Sequence, residues 1–275
     1  MVRMKKSVIE AMKARRSIRS YSKRPMHHAA EGQLQDYLRH IEHPFDARIR
    51  VELIKTGEYP GKHRLGTYGV IKNAQAFFAV CCDRSNFAEE ALGYAFEKVV
   101  LKSTQLGLGT CWIGGTFNKG AFADAVQLKA DEMLPIVSPV GQASAKPSMV
   151  SKTMSRVTKQ RSRKSFETIF FTDNWNIPLT QKSAGDFGLP LEMVRLAPSS
   201  RNCQPWQVLI GPEGAHFYRM APRSMNRIDL GIALCHFDLA CQELGIDGGL
   251  EVMPEAVAHT PENGFYTMSW IRKEV

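Results

Sequence analysis

The sequence predicts an α+β protein built from two related halves. Stretches with helical and strand-like patterns follow one another along the chain without the regular strand–helix–strand alternation that a doubly wound sheet requires. In addition, residues 92–108 align without a gap with residues 230–246, and six of the seventeen aligned pairs are identical, where ordinary residue usage gives about one. Together the two observations indicate a duplicated α+β unit.

The duplication predicts how the halves associate. Two copies are too few for a stacked solenoid. A pair of half-domains packed about a pseudo-twofold axis reproduces, inside one chain, the contact of a symmetric homodimer. We therefore expect two half-domains, residues 1–155 and 156–275, forming a pseudo-dimer with mixed sheets flanked by helices. Such a molecule is expected to act as a monomer.

Hydrophobic periodicity places the individual elements. Apolar residues at helical spacing, and alternating or wholly apolar runs, distinguish helices from strands. In the first half, the predicted helices are residues 7–14, 29–41, 87–106 and 119–128, and the predicted strands are 48–55, 76–82 and 136–141. In the second half, after a polar linker at 142–163, the predicted helices are 189–197 and 226–244, and the predicted strands are 207–210, 216–220 and 265–271.

Composition bounds the class of protein. With 275 residues and 44% hydrophobic content, the chain is long enough to bury a large core. Its longest wholly apolar run, Ala76–Cys82, has seven residues, whereas a membrane-spanning helix needs about 20. The N-terminus lacks the apolar stretch of a secretory signal, so we expect a cytoplasmic protein without membrane association. The six cysteines show no Cys-x-x-Cys spacing, which favours reduced core residues over disulfides or zinc ligands.

Positive charge is concentrated in two segments. The net charge is +9; residues 1–24 contain nine lysines and arginines against the single acid Glu10, and residues 146–164 contain seven and no acid. Such clusters can bind nucleic acid, but these runs lack interleaved aromatic residues and match no nucleic-acid reader motif. We therefore favour a compact phosphate site and expect no nucleic-acid partner.

Residues 15–19, Arg-Arg-Ser-Ile-Arg, bring three guanidinium groups and a hydroxyl to one short segment after the first predicted helix. We call this segment the arginine hook. Guanidinium groups suit phosphate because they donate paired, charge-assisted hydrogen bonds and keep their proton. The alternative, for the hook judged alone, is a solvated basic helix end.

Two turns carry the other hydrogen-bonding groups. The Gly-rich turn, residues 107–115, places glycine amides just after the long helix, where they can donate to a ring nitrogen or a phosphate. The Ser-Asn turn, residues 198–202, offers two hydroxyls and an amide that both donates and accepts, as the edge of a uracil-like ring requires. The alternative is local capping by Ser199 and Asn202. The pair His27 and His28 has no carboxylate at ligand spacing and is interpreted as a polar turn, not a metal site.

These segments resemble the nitroreductase family of flavin enzymes, and their order is similar to that in its tandem, half-duplicated branch. The similarity covers most of the chain. It rests on the Arg-Arg-Ser-Ile-Arg hook, the Leu-Gly-Thr-Cys-Trp-Ile-Gly-Gly turn, the Pro-Ser-Ser-x-Asn-x-Gln-Pro-Trp turn and the basic stretch at 161–163. The resemblance implies that FMN binds, with the hook and the Gly-rich turn coming from one half and the Ser-Asn turn from the other.

The resemblance also implies cofactor-binding roles for three groups of residues. The residues implied to meet the phosphate and the ribityl chain are Arg15, Ser17, Arg161 and Arg163, with Arg16 beside them in the hook. Those implied to meet the ring are Arg19 at the pyrimidine edge and Ile113, Gly114 and Gly115 near N5. Those implied to close the site from the second half are Pro198, Ser199, Ser200 and Asn202.

A second, mirror-related site is not expected to bind a cofactor. Where that site would need a Ser-Asn turn, the first half has Ile-Glu-His-Pro-Phe at 41–45. Where it would need a hook, the second half has Arg-Lys-Ser-Phe at 163–166. The sequence therefore predicts one FMN per chain.

The activity that the resemblance implies is that of an FMN-dependent NAD(P)H oxidoreductase. In ping-pong order, NAD(P)H reduces the flavin and leaves, and a nitroaromatic, quinone or other electron-poor acceptor takes the electrons in the same cleft. No side chain is expected to act as a catalytic acid or base, because the cofactor carries the hydride chemistry. The alternative is a flavin-binding protein without turnover, acting as a sensor or a store.

Overall fold

The chain folds as an α+β protein with two separate β-sheets, as the sequence predicts. The computed structural model describes residues 7–61, 64–146, 153 and 162–273. The chain divides into two compact units, one comprising Ala14–Gln160 and the other joining Ser7–Lys13 to Arg161–Val275. The expected boundary between residues 155 and 156, and most of the expected linker, lie outside the described residues.

The first helix, α1 (Val8–Ala14), belongs to the second unit except for its last residue, Ala14. The backbone N–H groups of Val8 and Ile9 donate to one carboxylate oxygen of Glu243, at 2.6 and 3.3 Å. A carboxylate is stabilised at a helix N-terminus, because the unpaired N–H groups and the helix dipole both favour negative charge. This contact gives α1 a specific anchor within the second unit.

The first unit is built on a four-stranded antiparallel sheet. Its strands are β1 (Ile49–Lys55), β2 (Ala76–Cys82), β3 (Gly109–Thr110) and β4 (Met133–Gly141), in the spatial order β1-β2-β4-β3. Its helices are α2 (His28–Arg39), α3 (Ala88–Gln105) and α4 (Lys119–Ala125). Among the described residues, no helix of either unit has the length and apolarity that crossing a membrane requires.

Strand β2 lies at the centre of the first unit, and all seven of its residues are buried. Consecutive side chains on a strand point to opposite faces of the sheet. Accordingly, the ring of Phe78 contacts Phe96 of α3, and the ring of Phe77 contacts Phe122 of α4, with centroids 5.7 and 5.3 Å apart. Helices cover both faces, which explains why the strand reads as an unbroken apolar run.

The second unit is built on a six-stranded sheet in which β5 and β7 pair in parallel and the other pairs are antiparallel. Its strands are β5 (Phe170–Thr172), β6 (Asn174–Pro178), β7 (Trp206–Ile210), β8 (Gly214–Arg219), β9 (Gly248–Glu251) and β10 (Phe265–Arg272), in the order β6-β5-β7-β8-β10-β9. Its further helices are α5 (Gly188–Leu196), α6 (Ser224–Glu243) and α7 (Pro254–Val257). Aromatic contacts of Phe237 with Phe217 and Trp270 pack α6 on the sheet.

The two sheets share one topology. The order β1-β2-β4-β3 in the first unit matches the order β7-β8-β10-β9 in the second. In both units the long helix, α3 or α6, follows the second of these strands along the chain, and a short helix lies between the third and the fourth. Strands β5 and β6 extend the sheet of the second unit only.

The long helices also end in the same way. Gly107 and Gly245 have φ of 77° and 70°, a left-handed conformation that glycine adopts without steric cost. Each is followed by a residue whose N–H reaches back into the last turn, from Leu108 to the Ser103 carbonyl and from Ile246 to the Cys241 carbonyl, both at 2.9 Å. This is the Schellman arrangement, which satisfies the last helix carbonyls. In the second copy every partner lies 138 positions further along the chain, the offset of the sequence alignment.

The helices and strands predicted within the described residues all form, with ends displaced by at most three residues. Four strands, β3, β5, β6 and β9, and the short helix α7 were not predicted. β6 is largely exposed and contains Asn and Pro, and β9 begins with two glycines, so neither carries the alternating apolar pattern of a strand.

Candidate functional site

The arginine hook lies beside the Gly-rich turn in the first unit. The N–H of Ile18 donates to the carbonyl of Thr110 at 2.8 Å. On the other side, Lys72 accepts from the N–H of Tyr21 and donates its own N–H to the carbonyl of Arg19, both at 2.9 Å. The hook is therefore held as extended backbone between two other segments, which fixes the starting points of its side chains.

Arg15 is buried against the long helix of its unit. Its side chain is 6% exposed, and its Nε lies 4.0 Å from a carboxylate oxygen of Glu97, which is fully buried. The other oxygen of Glu97 accepts from the indole Nε1 of Trp112 at 2.9 Å. Burial lowers the pKa of Arg15, and the Glu97 carboxylate opposes that effect. Glu97 thus links the hook to the Gly-rich turn.

Arg15 also has an unsatisfied donor. Its Nε is buried and has no hydrogen-bond partner among the described residues. A buried N–H without an acceptor is costly, and a charged one more so. This guanidinium is therefore suited to an additional acceptor.

The other side chains of the hook differ in exposure. Arg16 is exposed, Ser17 is half-buried and Arg19 is buried. The thiol of Cys111 lies close to Arg19, Arg15 and the Ser17 hydroxyl, and burial raises its pKa despite these neighbours. The thiol is therefore a protonated packing group beneath the hook.

The Gly-rich turn ends in two amides that are available for binding. The backbone of Ile113 exchanges both of its hydrogen bonds with Val137, at 3.0 Å each, so the position of Ile113 is fixed. Gly114 is half-buried and Gly115 is exposed, and in the described part of the chain neither of their amides donates a hydrogen bond. Successive unpaired amides form a concavity that suits an anion or a ring acceptor.

Gly109 allows the hook to approach the turn closely. A Cβ at this position would lie 2.5 Å from Cγ1 and 2.8 Å from Cβ of Ile18. We expect Gly109→Ala to lower the free energy of unfolding by about 1–3 kcal/mol, because overpacking must displace the hook. Chemical denaturation of the variant measures the effect.

The control is Gly32→Ala in α2, where a new Cβ meets no atom within 4 Å. That change is expected to raise stability by about 0.5–1 kcal/mol, the difference between Gly and Ala within a helix. Equal effects of the two variants would contradict the close approach of Ile18 to Gly109.

The Ser-Asn turn of the second unit has an unusual backbone. Three residues in or just after it have a positive φ: 52° at Arg201, 59° at Asn202 and 46° at Gln204. This left-handed backbone conformation is uncommon for residues other than glycine. Such residues cost about 1–3 kcal/mol each and persist only where the surroundings hold them. Strain of this kind concentrates at functional sites, so the contacts that hold the turn are informative.

Side chains hold the Ser-Asn turn from within its unit. Arg163 donates to Oδ1 of Asn202 at 2.8 Å and to the carbonyl of Leu196 at 3.1 Å. Nδ2 of Asn202 donates to the carbonyl of Ser162 at 2.8 Å, and Oγ of Ser199 accepts the N–H of Gln204 at 2.9 Å. The bond between Ser199 and Gln204 is local, as the capping alternative expects, whereas the Asn202 side chain bonds to residues 39 and 40 positions away. Ligand contact by Ser199 and Asn202 stays a prediction.

Asp229 is a buried acid that bonds to the Ser-Asn turn, and the sequence did not point to it. It lies in α6, is 3% exposed, and accepts the N–H of Ser200 through Oδ1 at 2.8 Å. Its Oδ2 is buried and has no hydrogen-bond partner among the described residues. Burial raises the pKa of Asp229 to about 7, against the lowering effect of the Ser200 N–H. No local signal marks this acid, since its partner lies 29 residues away in sequence.

The predicted site residues thus form two groups, each within one unit. The hook and the Gly-rich turn meet in the first unit; Arg163 and the Ser-Asn turn meet in the second, with Pro198 buried and Ser200 half-buried. Arg161 lies outside the described residues.

The predicted polar turn at His27 and His28 precedes and begins α2. His27 accepts the N–H of Ala29 at 3.4 Å as a helix cap. In the described ranges, no cluster of three or more His, Cys, Asp or Glu side chains suited to a metal occurs.

Two sheets, each packed on a long buried helix, place the chain among α+β proteins, and the hook and the Ser-Asn turn contribute two buried arginines and a strained polar backbone. A family model described as "Putative TM nitroreductase" matches residues 7–241. The match spans most of the 275 residues, and the chain belongs to this family.

One solved structure that covers nearly the whole chain supports the fold. The crystal structure of a "putative nitroreductase" from Thermotoga maritima superposes with a TM-score of 0.61 at 18% identity, covering 98% of this chain and 96% of that one. A nitroreductase with bound FMN from Bacteroides fragilis aligns over 52% of this chain and 92% of that one, with a TM-score of 0.42 and 16% identity. No curated protein matches the sequence.

Proposed function

We propose that this chain is an FMN-dependent NAD(P)H oxidoreductase of the nitroreductase type. The observation that carries the proposal is the buried Arg15, whose Nε has no hydrogen-bond partner among the described residues and whose charge faces a carboxylate 4.0 Å away. A phosphate supplies the acceptors that this guanidinium lacks, in the geometry that a guanidinium prefers. The residues present therefore fit the phosphate end of FMN.

In the first unit, the hook and the Gly-rich turn divide the work of binding. Arg15, Arg16 and Ser17 would hold the phosphate and the ribityl chain. Arg19, whose backbone is fixed by Lys72, would place a positive charge at the pyrimidine edge. Ile113, Gly114 and Gly115 would line the ring near N5, where the two glycine amides can donate to it.

In the second unit, Pro198, Ser199, Ser200 and Asn202 would close the site on the ring. Arg163 bonds directly to Asn202, so its contribution includes holding this turn, and its contact with the phosphate is part of the proposal. Arg161 is proposed for the phosphate from the sequence alone.

We further propose that the units are duplicated halves that act as a pseudo-dimer within a monomer, with one FMN per chain. The shared strand order and the shared helix ends, offset by the same 138 positions as the sequence alignment, support the duplication. Residues 41–45, at the place where the first half would need its own Ser-Asn turn, include the buried Phe45, which packs against Tyr94 and Phe87. A buried aromatic side chain at this place supports the loss of the mirror-related site.

FMN, when bound, accepts a hydride from NAD(P)H and delivers it to an electron-poor acceptor such as a nitroaromatic or a quinone. The chain's own residues would bind and orient the cofactor. None of the proposed contacts requires a side chain to donate or remove a proton. The reaction is proposed to follow ping-pong order, because donor and acceptor would use the same cleft in turn.

Purified full-length protein is expected to be yellow and to release FMN on heating, identified by its mass, and to oxidise NAD(P)H with a quinone acceptor. Arg16→Ala, in the exposed part of the hook, is expected to weaken FMN binding by about tenfold or more, since a hydrogen bond to a charged group contributes about 1.5–3 kcal/mol. The matched control is Arg84→Ala, an exposed cation outside the hook that is expected to bind FMN as the wild type does.

The outcomes separate the alternatives. Bound flavin without NAD(P)H oxidation would replace the enzyme with a sensor or a store. Colourless protein that takes up no added FMN would contradict the proposal, and salt-dependent binding of DNA or RNA by such protein would point to the nucleic-acid alternative.

A further inference from the structure

The Ser-Asn turn is anchored to a regular element of the second unit through Asp229. The Ser200 N–H donates to Oδ1 of Asp229 at 2.8 Å, and Asp229 lies in α6, whose surrounding residues are buried. A side chain on a packed helix has a better defined position than one on a loop. Asp229 therefore gives the turn a fixed reference point.

The Ser200 amide, which bonds to Asp229, lies directly before the strained residues of the turn. Ser200 immediately precedes Arg201 and Asn202, both with positive φ. The N–H of Asn202 donates back to the carbonyl of Ser199 at 2.9 Å, which closes the turn around Ser200. A strained turn relaxes to other conformations unless its ends are held, so the bond at Ser200 helps to select the observed one.

The cost of Asp229 to the fold supports a role beyond stability. Its Oδ2 is buried without a hydrogen-bond partner among the described residues, and its 3% exposure leaves little access to water. Burying a carboxylate with one of its two oxygens unpaired is unfavourable. An apolar residue would serve the core of α6 better, whereas it could not hold Ser200.

We propose that Asp229 is a positioning residue for the cofactor, which holds the Ser-Asn turn in the conformation that meets the flavin ring. The inference rests on the proposed function, because the turn has a cofactor to meet only if FMN binds. Asp229 itself is not assigned a contact with FMN; it acts through Ser200 and the residues that follow.

Two measurements on the full chain test the inference. The first is the hydrogen-exchange rate of the Ser200 amide without FMN, followed by NMR; the second is the affinity for FMN, measured by titration. Both are measured at pH 8, where the Asp229 carboxyl is ionised. Asp229→Ala removes this acceptor and is expected to speed exchange at Ser200, and to weaken FMN binding, by about tenfold or more, the factor that loss of a bond to a charged acceptor implies. Asp229→Asn keeps an acceptor oxygen and is expected to restore both values to within about threefold of wild type.

The matched control is Asp238→Ala, which removes another buried acid of α6, one that bonds to Trp270 instead of the turn. It is expected to lower stability without changing exchange at Ser200 or the affinity for FMN. If Asp229→Ala does not fold, Asp229→Leu, which fills the site and removes the buried charge, takes its place.

The results separate this inference from the proposed function. The positioning role would be overturned if Asp229→Ala left the exchange rate of the Ser200 amide unchanged. It would also be overturned if exchange became faster while the affinity for FMN stayed at the wild-type value. In both cases, FMN binding by the wild type would still support the proposed function. Wild-type protein that binds no FMN would overturn the function and the positioning role with it, whereas the exchange rate would still report whether Asp229 anchors the turn.

Discussion

Glu97→Ala is expected to lower the free energy of unfolding by about 3–5 kcal/mol, the usual cost of removing one partner of a buried ion pair. Glu97 is fully buried, lies 4.0 Å from Nε of Arg15 and accepts the indole N–H of Trp112 at 2.9 Å. Its loss leaves a buried guanidinium without a counter-charge and the half-buried indole of Trp112 without this acceptor. Chemical denaturation of variant and wild type measures the difference.

The control for Glu97 is an ion pair at the surface. Glu58 is 70% exposed and lies 3.1 Å from Nζ of Lys55. Glu58→Ala is expected to change stability by no more than about 0.5 kcal/mol, because solvent screens exposed pairs. If Glu97→Ala were as mild as this control, the buried network beneath the hook would not hold Arg15 as described.

The second large effect concerns pH. Burial raises the pKa of Asp229 from 3.8 to about 7, so the folded protein retains a proton that the unfolded chain has lost. The retained proton therefore contributes fully to the free energy of unfolding below about pH 4, and this contribution is lost as the pH rises towards 7. Each pKa unit corresponds to about 1.4 kcal/mol, so the change amounts to about 4 kcal/mol.

The test compares wild type with Asp229→Asn, whose side chain does not titrate. Between pH 4 and pH 8, the wild type is expected to lose about 4 kcal/mol of unfolding free energy relative to the variant. The cost of burying the amide is the same at both pH values and does not affect this change. A difference that stays constant over this range would show that Asp229 titrates normally and is not buried as described.

The elements that were predicted correctly carry their signal locally. Ala76–Cys82 is an apolar run because helices cover both faces of β2. A strand that is buried on both faces has apolar residues at nearly every position. Gly107 and Gly245 mark the ends of the long helices because the left-handed residue after a helix favours glycine. In such cases the residues of the segment itself determine the structure.

Elements defined by distant partners were missed. The two residues of β3 form a strand only by pairing with β4. The glycines of β9 lie against β10, where a Cβ at Gly248 would meet the ring of Trp270. Their strand conformation depends on tertiary contacts that the pattern of a single segment does not contain.

The candidate site shows the same division. The hook and the two turns were found from local composition, and the structure brings the hook beside the Gly-rich turn through the bond between Ile18 and Thr110. The acids that support them were not found: Glu97 is 82 residues from Arg15, and Asp229 is 29 residues from Ser200. Buried acids within apolar helices have no local signature, because their partners come from other parts of the chain.

Our central proposal is that the chain binds a single FMN, with the hook, the Gly-rich turn and the Ser-Asn turn as its binding segments. Calorimetric titration of the cofactor-free full chain with FMN tests this claim most directly. We predict saturation at one FMN per chain. Saturation at two, or no detectable binding, would contradict it.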